Sequence, residues 1–382
     1  MTNTNLMKRE YQICTRCIMD TSDPEIEFNS QGVCNHCLSY DDTAKKVLLT
    51  DEEKKPQLTK IVAEIKEAGK NKEYDCIIGL SGGVDSSYLA YCVKDLGLRP
   101  LAVHLDNGWN SELAVKNIEN IVKILDIDLY TYVIDWEEFK DLQIAFLKAS
   151  VVDIEMLTDS AIIVAIDRIA KEKNISYFLS GSNFATENIM PQSWFYSIKH
   201  DSLNIRAISK RFGSVGKLKS YPMFNFFEFW RYTYFNKVKT IPLLNFLPYN
   251  KSEAMQFLIE KLNWRDYGGK HWESKFTQFY QVYILPRKFG IDKRRAHLSS
   301  LIVSGQLPRE QGLKLISENI YNERLLQEDK EYLLKKFELS ESEFDRLMQA
   351  DPLPHDFYPS YVSYIKILRK FKRLLTRKKA HV

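Results

Sequence analysis

The sequence predicts an α/β protein: a doubly wound parallel sheet, preceded by a small cysteine-rich unit and followed by a helical region. Three observations carry this. Short apolar runs rich in β-branched residues, at 76–80, 99–105, 129–134 and 175–179, alternate with stretches of helical periodicity. Two CxxC pairs stand ahead of that rhythm, and beyond Leu307 only the helical period continues. The boundaries expected are a ribbon at 1–45, a linker helix at 46–72, an α/β domain at 73–250 and a mainly helical region at 251–382.

The ribbon comes first. Cys14-Thr-Arg-Cys17 and Cys34-Asn-His-Cys37 have the spacing of a structural zinc site, in which four thiolates close a tetrahedron and leave no position open for chemistry. Ile26 and Phe28 alternate with polar residues ahead of a turn at Gly32, as a ribbon hairpin requires. An iron–sulfur centre, or His36 replacing one thiolate, are the competing readings. The charged stretch from Asp41 to Lys72 carries Leu58, Ile61, Val62 and Ile65 on one face and reads as a linker helix.

The next stretch organises the rest. Cys76 to Leu80 is a buried strand, and Leu89, Cys92, Val93 and Leu96 fall at helical spacing before Gly97. Between strand and helix, Ser81-Gly82-Gly83-Val84-Asp85-Ser86 forces a sharp bend and leaves the first helical N–H groups pointing outward, an anion cradle. Asp85, an acid among phosphate-binding groups, reads as a magnesium ligand. No Gly-Lys-Ser/Thr follows, so this is not a Walker loop, nor is it GxGxxG. The string resembles the PP-loop of the ATP pyrophosphatases, which include NAD, GMP and asparagine synthetases and several tRNA-thiolating enzymes. That resemblance implies ATP cleaved to AMP and pyrophosphate, with Ser81, Gly82, Gly83, Asp85 and Ser86 holding the outer phosphates.

Ligands of such sheets sit beyond the carboxyl ends of the strands. Segments past those ends begin at Asp106 and Gly181, and the resemblance to the ATP pyrophosphatases, in which the end of the second strand borders the adenosine, implies Leu105 and Asp106, with Gly181, as further ATP-binding candidates. Glu187, after Gly181-Ser182-Asn183, is similar to the NAD synthetase glutamate that shares magnesium, and would pair with Asp85; its plainer reading is an acid opening a helix on a solvated loop. Tyr221 to Phe235 is dense in aromatics with few charges and reads as core or subunit interface rather than as a membrane-interface segment.

From Tyr267 to His297, two basic clusters flank an aromatic segment: Lys270, His271 and Lys275, then Arg287, Lys288, Lys293, Arg294 and Arg295. Chemistry alone leaves phosphate clamp and solvated basic face equally open. The strings Lys-His-x-Glu-Ser and Lys-Phe-Gly-x-Asp-Lys-Arg-Arg-Ala-His-Leu-Ser are similar to the signature of the bacterial N-acetyl sugar amidotransferases, and with the ribbon and the loop the likeness spans most of residues 10 to 350. It implies that Asp85, Lys270, His271 and Arg294 serve catalysis, and that Glu273, Lys275, Arg287, Lys293, Arg295 and His297 hold the substrate. The reaction implied is adenylylation of the N-acetyl oxygen of a nucleotide-linked sugar, UDP-linked in the first instance, or of a nonulosonic sugar. Ammonia then replaces that oxygen to give an acetamidine, in O-antigen or surface polysaccharide biosynthesis.

ATP, Mg2+ and a structural Zn2+ are the expected cofactors. No glutaminase elbow is present, and Cys76 and Cys92 fall in a strand and a helix, so a separate glutaminase subunit is expected to supply ammonia. At 382 residues and 45% hydrophobic the chain affords a sizeable core, and its formal charge of +4 gives no ground to expect nucleic acid. Neither a signal peptide nor a membrane span is visible, so the expected location is the cytoplasm, and a homo-oligomer is among the partners to be considered. The tail from Tyr364 to Lys379 mixes basic and apolar residues at helical spacing and reads first as a solvated or frayed helix, second as a contact for an acidic partner or membrane. The other readings of the whole are a tRNA-thiolating PP-loop enzyme and a non-catalytic zinc-ribbon adaptor.

Overall fold

A computed structural model of the chain describes residues 10–47, 50–268, 272–318 and 321–367. Five strands, β1 (Cys76–Gly79), β2 (Pro100–Asp106), β3 (Asp128–Val133), β4 (Tyr177–Ser180) and β5 (Lys239–Pro242), form one parallel sheet in the order β3-β2-β1-β4-β5. Four of these follow the sequence rhythm. β5 does not, because Lys239-Thr-Ile-Pro is an edge strand too short and too polar to stand out, and its Pro242 is tolerated only at an edge.

Both faces of the sheet are covered, which is why β1 reads as an unbroken apolar run. Ile78, with Ala102 and Leu179, packs with Leu89, Val93, Ile118, Ile121 and Leu258 from helices α3 (Val84–Asp95), α4 (Glu112–Leu125) and, further along the chain, Lys251–Leu262. Ile77, with Leu101 and Val103, packs on Ile166 and Ile169 from Met156–Glu172. The strand order reverses between β1 and β4, and there the crevice opens.

The stretch expected as a linker helix at 46–72 holds α2 (Asp51–Gly69), started by a capping box between Thr50 and Glu53, and ahead of it α1 (Asn35–Val47) begins inside the cysteine unit. After β3 come α5 (Trp136–Ala149) and α6 (Met156–Glu172); after β4 come α7 (Phe184–Glu187), α8 (Ser202–Phe212) and α9 (Phe226–Phe235). The carboxy-terminal region is helical, as expected: α10 (Lys251–Leu262), α11 (Lys275–Phe279), α12 (Lys293–Val303), α13 (Arg309–Ser317), α14 (Glu323–Phe337) and α15 (Glu341–Gln349). Tyr280–Phe289 continues α11 as a π-helix, a wider turn that accommodates Pro286, which has no N–H to donate. Pro308 is the N-cap of α13 rather than part of its first turn.

The cysteine unit shows two isolated antiparallel bridges, Ile13 with Asp20 and Phe28 with Cys34, in place of a continuous hairpin. Its cysteines share one apolar cluster with Phe139 and Phe146 of α5, Phe276, Phe279 and Ala296. The aromatic stretch at 221–235 divides: Phe224 and Phe229 are buried, whereas Phe226, Phe227, Tyr234 and Phe235 are exposed.

The segment joining α5 to α6 is held from the far end of the chain. Buried His355 accepts the Asp153 N–H at Nε2 (3.3 Å) and meets the Asn204 side-chain oxygen at Nδ1 (3.1 Å), a pattern only the neutral ring satisfies. Burial lowers its pKa from 6.5 to about 4. The folded state therefore refuses a proton that the unfolded chain accepts, and stability is lost as pH falls from 6.5 towards 4, by about 3 kcal/mol in all. Denaturant titrations across that window should show this slope in the native protein and a flatter one in His355→Gln.

Candidate active site

The loop between β1 and α3 is shaped by backbone contacts that leave no room for side chains. Gly82 has φ +83°, and a Cβ there would lie 2.7 Å from the Ala114 carbonyl oxygen. Gly181, at the end of β4, runs so close to the start of α3 that a Cβ would stand 3.1 Å from the Asp85 carbonyl carbon and 3.2 Å from the Ser86 nitrogen. Gly83 caps α3 with no side-chain acceptor, so the first N–H groups of the helix face the crevice. Ser86 Oγ accepts from the Ser81 N–H (3.3 Å) and donates to the Gly83 carbonyl (3.2 Å), which closes the loop on itself.

Sequence reasoning missed the supports beneath this loop. Trp264 Nε1 donates to the Gly82 carbonyl (2.8 Å), and Asn117 pairs with the Arg265 backbone in both directions (2.8 and 2.9 Å). These contacts bring Tyr267 to the loop, its hydroxyl 3.0 Å from where a Gly83 Cβ would stand. Tyr249 donates to Asp85 Oδ1; burial, then Asp85, and more weakly Glu187, hold its hydroxyl protonated. A phenol on the magnesium candidate has no periodic signature, and Tyr249 sits in a loop between a 3-10 turn and α10.

These groups line a cavity of about 730 Å³. Ser81, Gly83, Asp85, Ser86, Glu187 and Lys251 are among the lining residues. Part of the cavity wall is apolar, from Val103, Leu105, Ile162, Ile166 and Phe178. The lining also includes a cluster of charges of which the sequence pointed only to Lys293: Lys199 Nζ meets Asp153 (2.6 Å) and Asp159 (3.0 Å), and Lys293 Nζ meets Glu155 (2.8 Å). The carboxylates around Lys199 raise its ammonium well above 10.5 despite burial, so this cation stays charged.

The predicted residues divide. Ser81, Gly83, Asp85, Ser86, Leu105, Gly181, Glu187, Glu273, Lys293 and His297 all line the cavity. Glu273 arrives because residues 273–275 pair with 109–111: the Glu273 carbonyl accepts from Ser111 (2.8 Å), and the Trp109 carbonyl from Lys275 (2.9 Å). Asp106 is spent on the turn after β2, accepting from the Gly108 N–H (2.9 Å) and the Asn110 amide (3.2 Å).

Four basic candidates are engaged elsewhere. Arg287 lies over the Tyr283 ring (4.0 Å to its centroid), and Lys275 faces Asp329 (3.5 Å). Arg294 pairs with Asp292 (2.7 Å), donates to the Glu318 carbonyl (3.1 Å) and lines a smaller, more apolar cavity of about 330 Å³ next to the first. Arg295 donates to the Ile18 carbonyl (2.7 Å) and meets Asp20 (3.1 Å), so it serves the ribbon. Clustering in sequence does not make a cluster in space here, because successive positions on α12 point in different directions. Lys270 and His271 lie outside the described residues.

The cysteine site fits zinc. Four ligands about 2.3 Å from a tetrahedral ion stand about 3.8 Å apart. Cys14 and Cys37 sulfurs are 3.8 Å apart, Cys17 and Cys34 sulfurs 3.6 Å, and all four lie within 4.8 Å of one another. Backbone N–H groups of Arg16, Cys17 and Cys34 point at Cys14 Sγ (3.2 to 3.5 Å), which favours thiolate. His36 is turned to Asp23 (2.7 Å) and is not a ligand. The unit is bound to the helical region: Arg309 donates to the Cys14 and Cys17 carbonyls (2.8 and 3.0 Å), and Ser299 Oγ accepts from the Ile18 N–H (3.2 Å). Cys76 and Cys92 are buried, and burial pushes both thiols up, Cys92 to about 12. None of the helices among the described residues is long and apolar enough to cross a membrane.

Residues 273–372 match the family model described as LPS biosynthesis protein WbpG-like, C-terminal domain. Over 67 residues the chain is 36% identical to tRNA(Ile)-lysidine synthase of Chlamydia pneumoniae, a match covering 17% of this chain and 21% of that one, about a fifth of the relative's length. Among solved structures, NMN synthetase from Francisella tularensis aligns at 21% identity with a TM-score of 0.28, covering 36% of this chain and 56% of the other. The NH3-dependent NAD synthetase of Campylobacter jejuni aligns at 18% identity with the same TM-score, covering 43% and 73%.

Since the cysteine unit anchors α12, which carries Lys293 and His297, metal removal should act on the cavity as well as on the ribbon. Elemental analysis should find one zinc per chain and none in Cys17→Ser/Cys34→Ser. That variant should be less stable by at least about 3 kcal/mol.

Proposed function

We propose that this chain, with a WbpG-like LPS-biosynthesis domain at 273–372 set against a PP-loop, is the synthetase component of an ATP-dependent amidotransferase. Its acceptor is an N-acetylated sugar, and its product an acetamidino sugar of lipopolysaccharide or another surface polysaccharide. The observation that carries the reading is the shared cavity, lined by phosphate-binding N–H groups, two hard-oxygen acids, residues of the WbpG-like domain and half-buried lysine–carboxylate pairs.

In this reading the adenine lies against Val103, Leu105, Ile162, Ile166 and Phe178, which offer an apolar slot at the carboxyl edge of the sheet. The N–H groups opening α3, with the Ser81 and Ser86 hydroxyls, receive the β- and γ-phosphates. Asp85 and Glu187 would hold magnesium, which neutralises the departing pyrophosphate. Tyr249 fixes the Asp85 carboxylate in place.

The acceptor's acetamido oxygen attacks the α-phosphorus, and the bond from that phosphorus to pyrophosphate breaks. Ammonia then adds to the activated carbon, and the carbon–oxygen bond breaks, so that AMP leaves with the acceptor's oxygen and the carbon keeps nitrogen. Lys199 and Lys293, held charged by Asp153, Asp159 and Glu155, are suited to donate to sugar hydroxyls or an attached diphosphate, and the carboxylates to accept from hydroxyls. Ammonia comes from a partner, since both spare thiols are buried and protonated.

With UDP-N-acetylhexosamines or nonulosonic acids as acceptors, ATP, magnesium and ammonium, the protein should release AMP and pyrophosphate and yield a product about one mass unit lighter, whereas glutamine should not replace ammonium. Asp85→Asn should lower kcat by at least about 100-fold. Lys199→Met should raise KM for the acceptor far more than for ATP. Release of ADP and orthophosphate, or AMP formation that ignores every N-acetyl sugar, would contradict the reading.

A further inference from the structure

His104, near the carboxyl end of β2, lines the cavity and is only 8% exposed, yet no step of the reaction proposed above touches it. Both ring nitrogens are committed. Nδ1 lies 3.0 Å from the Leu80 carbonyl oxygen, and Nε2 lies 3.1 Å from Asn110 Nδ2. The other hydrogen of that amide goes to Asp106 Oδ1 (3.2 Å), a carboxylate, which fixes which way round the amide stands. A carbonyl only accepts and an amide nitrogen only donates, so the ring is the neutral tautomer with its proton on Nδ1. Burial keeps it neutral, lowering its pKa from 6.5 against the pull of the Leu80 carbonyl and Asp106.

The two arms of the ring lead to different parts of the cavity. Leu80 is the last residue before the phosphate loop. Its N–H donates to the Val103 carbonyl (2.9 Å), and its own carbonyl shares one planar peptide with the Ser81 N–H, which donates to Ser86 Oγ (3.3 Å). Holding that carbonyl therefore aims the first N–H of the loop. Asn110 is bridged to Ser274, between the backbone bonds from Ser111 to Glu273 (2.8 Å) and from Lys275 to Trp109 (2.9 Å). Glu273, Ser274 and Thr277, at the start of the WbpG-like region, line the cavity. We infer that His104 is a positioning residue for the proposed reaction: through Nδ1 it sets the phosphate loop, through Nε2 and Asn110 it sets the wall at Glu273–Thr277, and so it fixes ATP and acceptor relative to each other. Transfer between two bound molecules is sensitive to that placement, since a displacement of about 1 Å can cost about 100-fold in rate. The inference rests on the function proposed above, because it needs two substrates in one cavity.

The test uses the full chain and three substitutions of the ring. An asparagine amide stands about where Nδ1 does and a glutamine amide about where Nε2 does, so His104→Asn keeps the Leu80 arm, His104→Gln keeps the Asn110 arm, and His104→Phe loses both. Calorimetry with α,β-methylene-ATP and magnesium should find affinity within about twofold of wild type in His104→Asn, and about fivefold to tenfold weaker in His104→Gln and His104→Phe. With ammonium as nitrogen donor, KM for a UDP-N-acetylhexosamine should divide the other way: near wild type in His104→Gln, and about fivefold to tenfold higher in His104→Asn and His104→Phe. In His104→Phe kcat should fall by about 100-fold. Adding Asn110→Ala to it should raise acceptor KM by no more than about twofold further, because that arm is already cut. Should His104→Phe not fold, the asparagine and glutamine variants carry the same decision. Wild-type affinity for the ATP analogue in His104→Gln would overturn the inference. So would equal losses in His104→Asn and His104→Gln, which would leave the ring a residue the fold needs and nothing more. A wild-type chain that forms no AMP with any N-acetyl sugar would instead contradict the function proposed above, and the ATP-analogue affinities of the three variants would still decide the role of Nδ1.

Discussion

The close approach of Gly181 to the first turn of α3 is the constraint on which the active-site geometry rests. Parallel strands β1 and β4 are neighbours, yet their connections leave in opposite directions, so the two loops at their carboxyl ends part and a crevice forms between them. For that crevice to present helix N–H groups, the end of β4 passes so close to the Asp85 backbone that any Cβ at position 181 would force the first turn of α3 to give way. Gly82 meets a second such restriction against α4, and Trp264 braces its carbonyl from below. The loop is thus rigid before any ligand arrives, and preorganised donors of this kind stabilise developing charge without further reorganisation.

A second layer of organisation joins parts distant in sequence. Among the described residues the cysteine unit contributes no group to the cavity lining; its carbonyls are gripped by Arg309, and its Asp20 and Ile18 by Arg295, both from the WbpG-like region. Arg295 and Lys293 are two positions apart on α12, one turned to the ribbon and the other to the cavity. The ribbon therefore acts as a brace for the helix that brings Lys293 and His297 to the cavity. The segment joining α5 to α6 is braced in the same way, by His355 behind Asp153.

Much of this was legible in the sequence, for identifiable reasons. Strands β1 to β4 are buried on both faces and so show as apolar runs; the loop glycines are demanded by backbone geometry; two CxxC pairs at ribbon spacing admit few alternatives to metal. The charged part of the cavity lining was harder to read. Asp153, Glu155, Asp159 and Lys199 come from a loop, a helix start and an irregular segment, and nothing in their spacing announces that they converge. Basic residues adjacent in sequence, such as Arg294 and Arg295, were expected to act together and instead serve different neighbours. Aromatic density at 221–235 pointed to core or interface, and helical periodicity divided it between a buried and an exposed face.

The central claim is that the crevice between β1 and β4 positions ATP so that AMP passes to an acceptor oxygen. The most direct test is the fate of that oxygen. With the acetamido carbonyl of the acceptor labelled with heavy oxygen, and ammonium as nitrogen donor, mass spectrometry should find one labelled oxygen in each AMP formed and none in pyrophosphate. Label appearing in pyrophosphate, in orthophosphate or only in water would contradict the account.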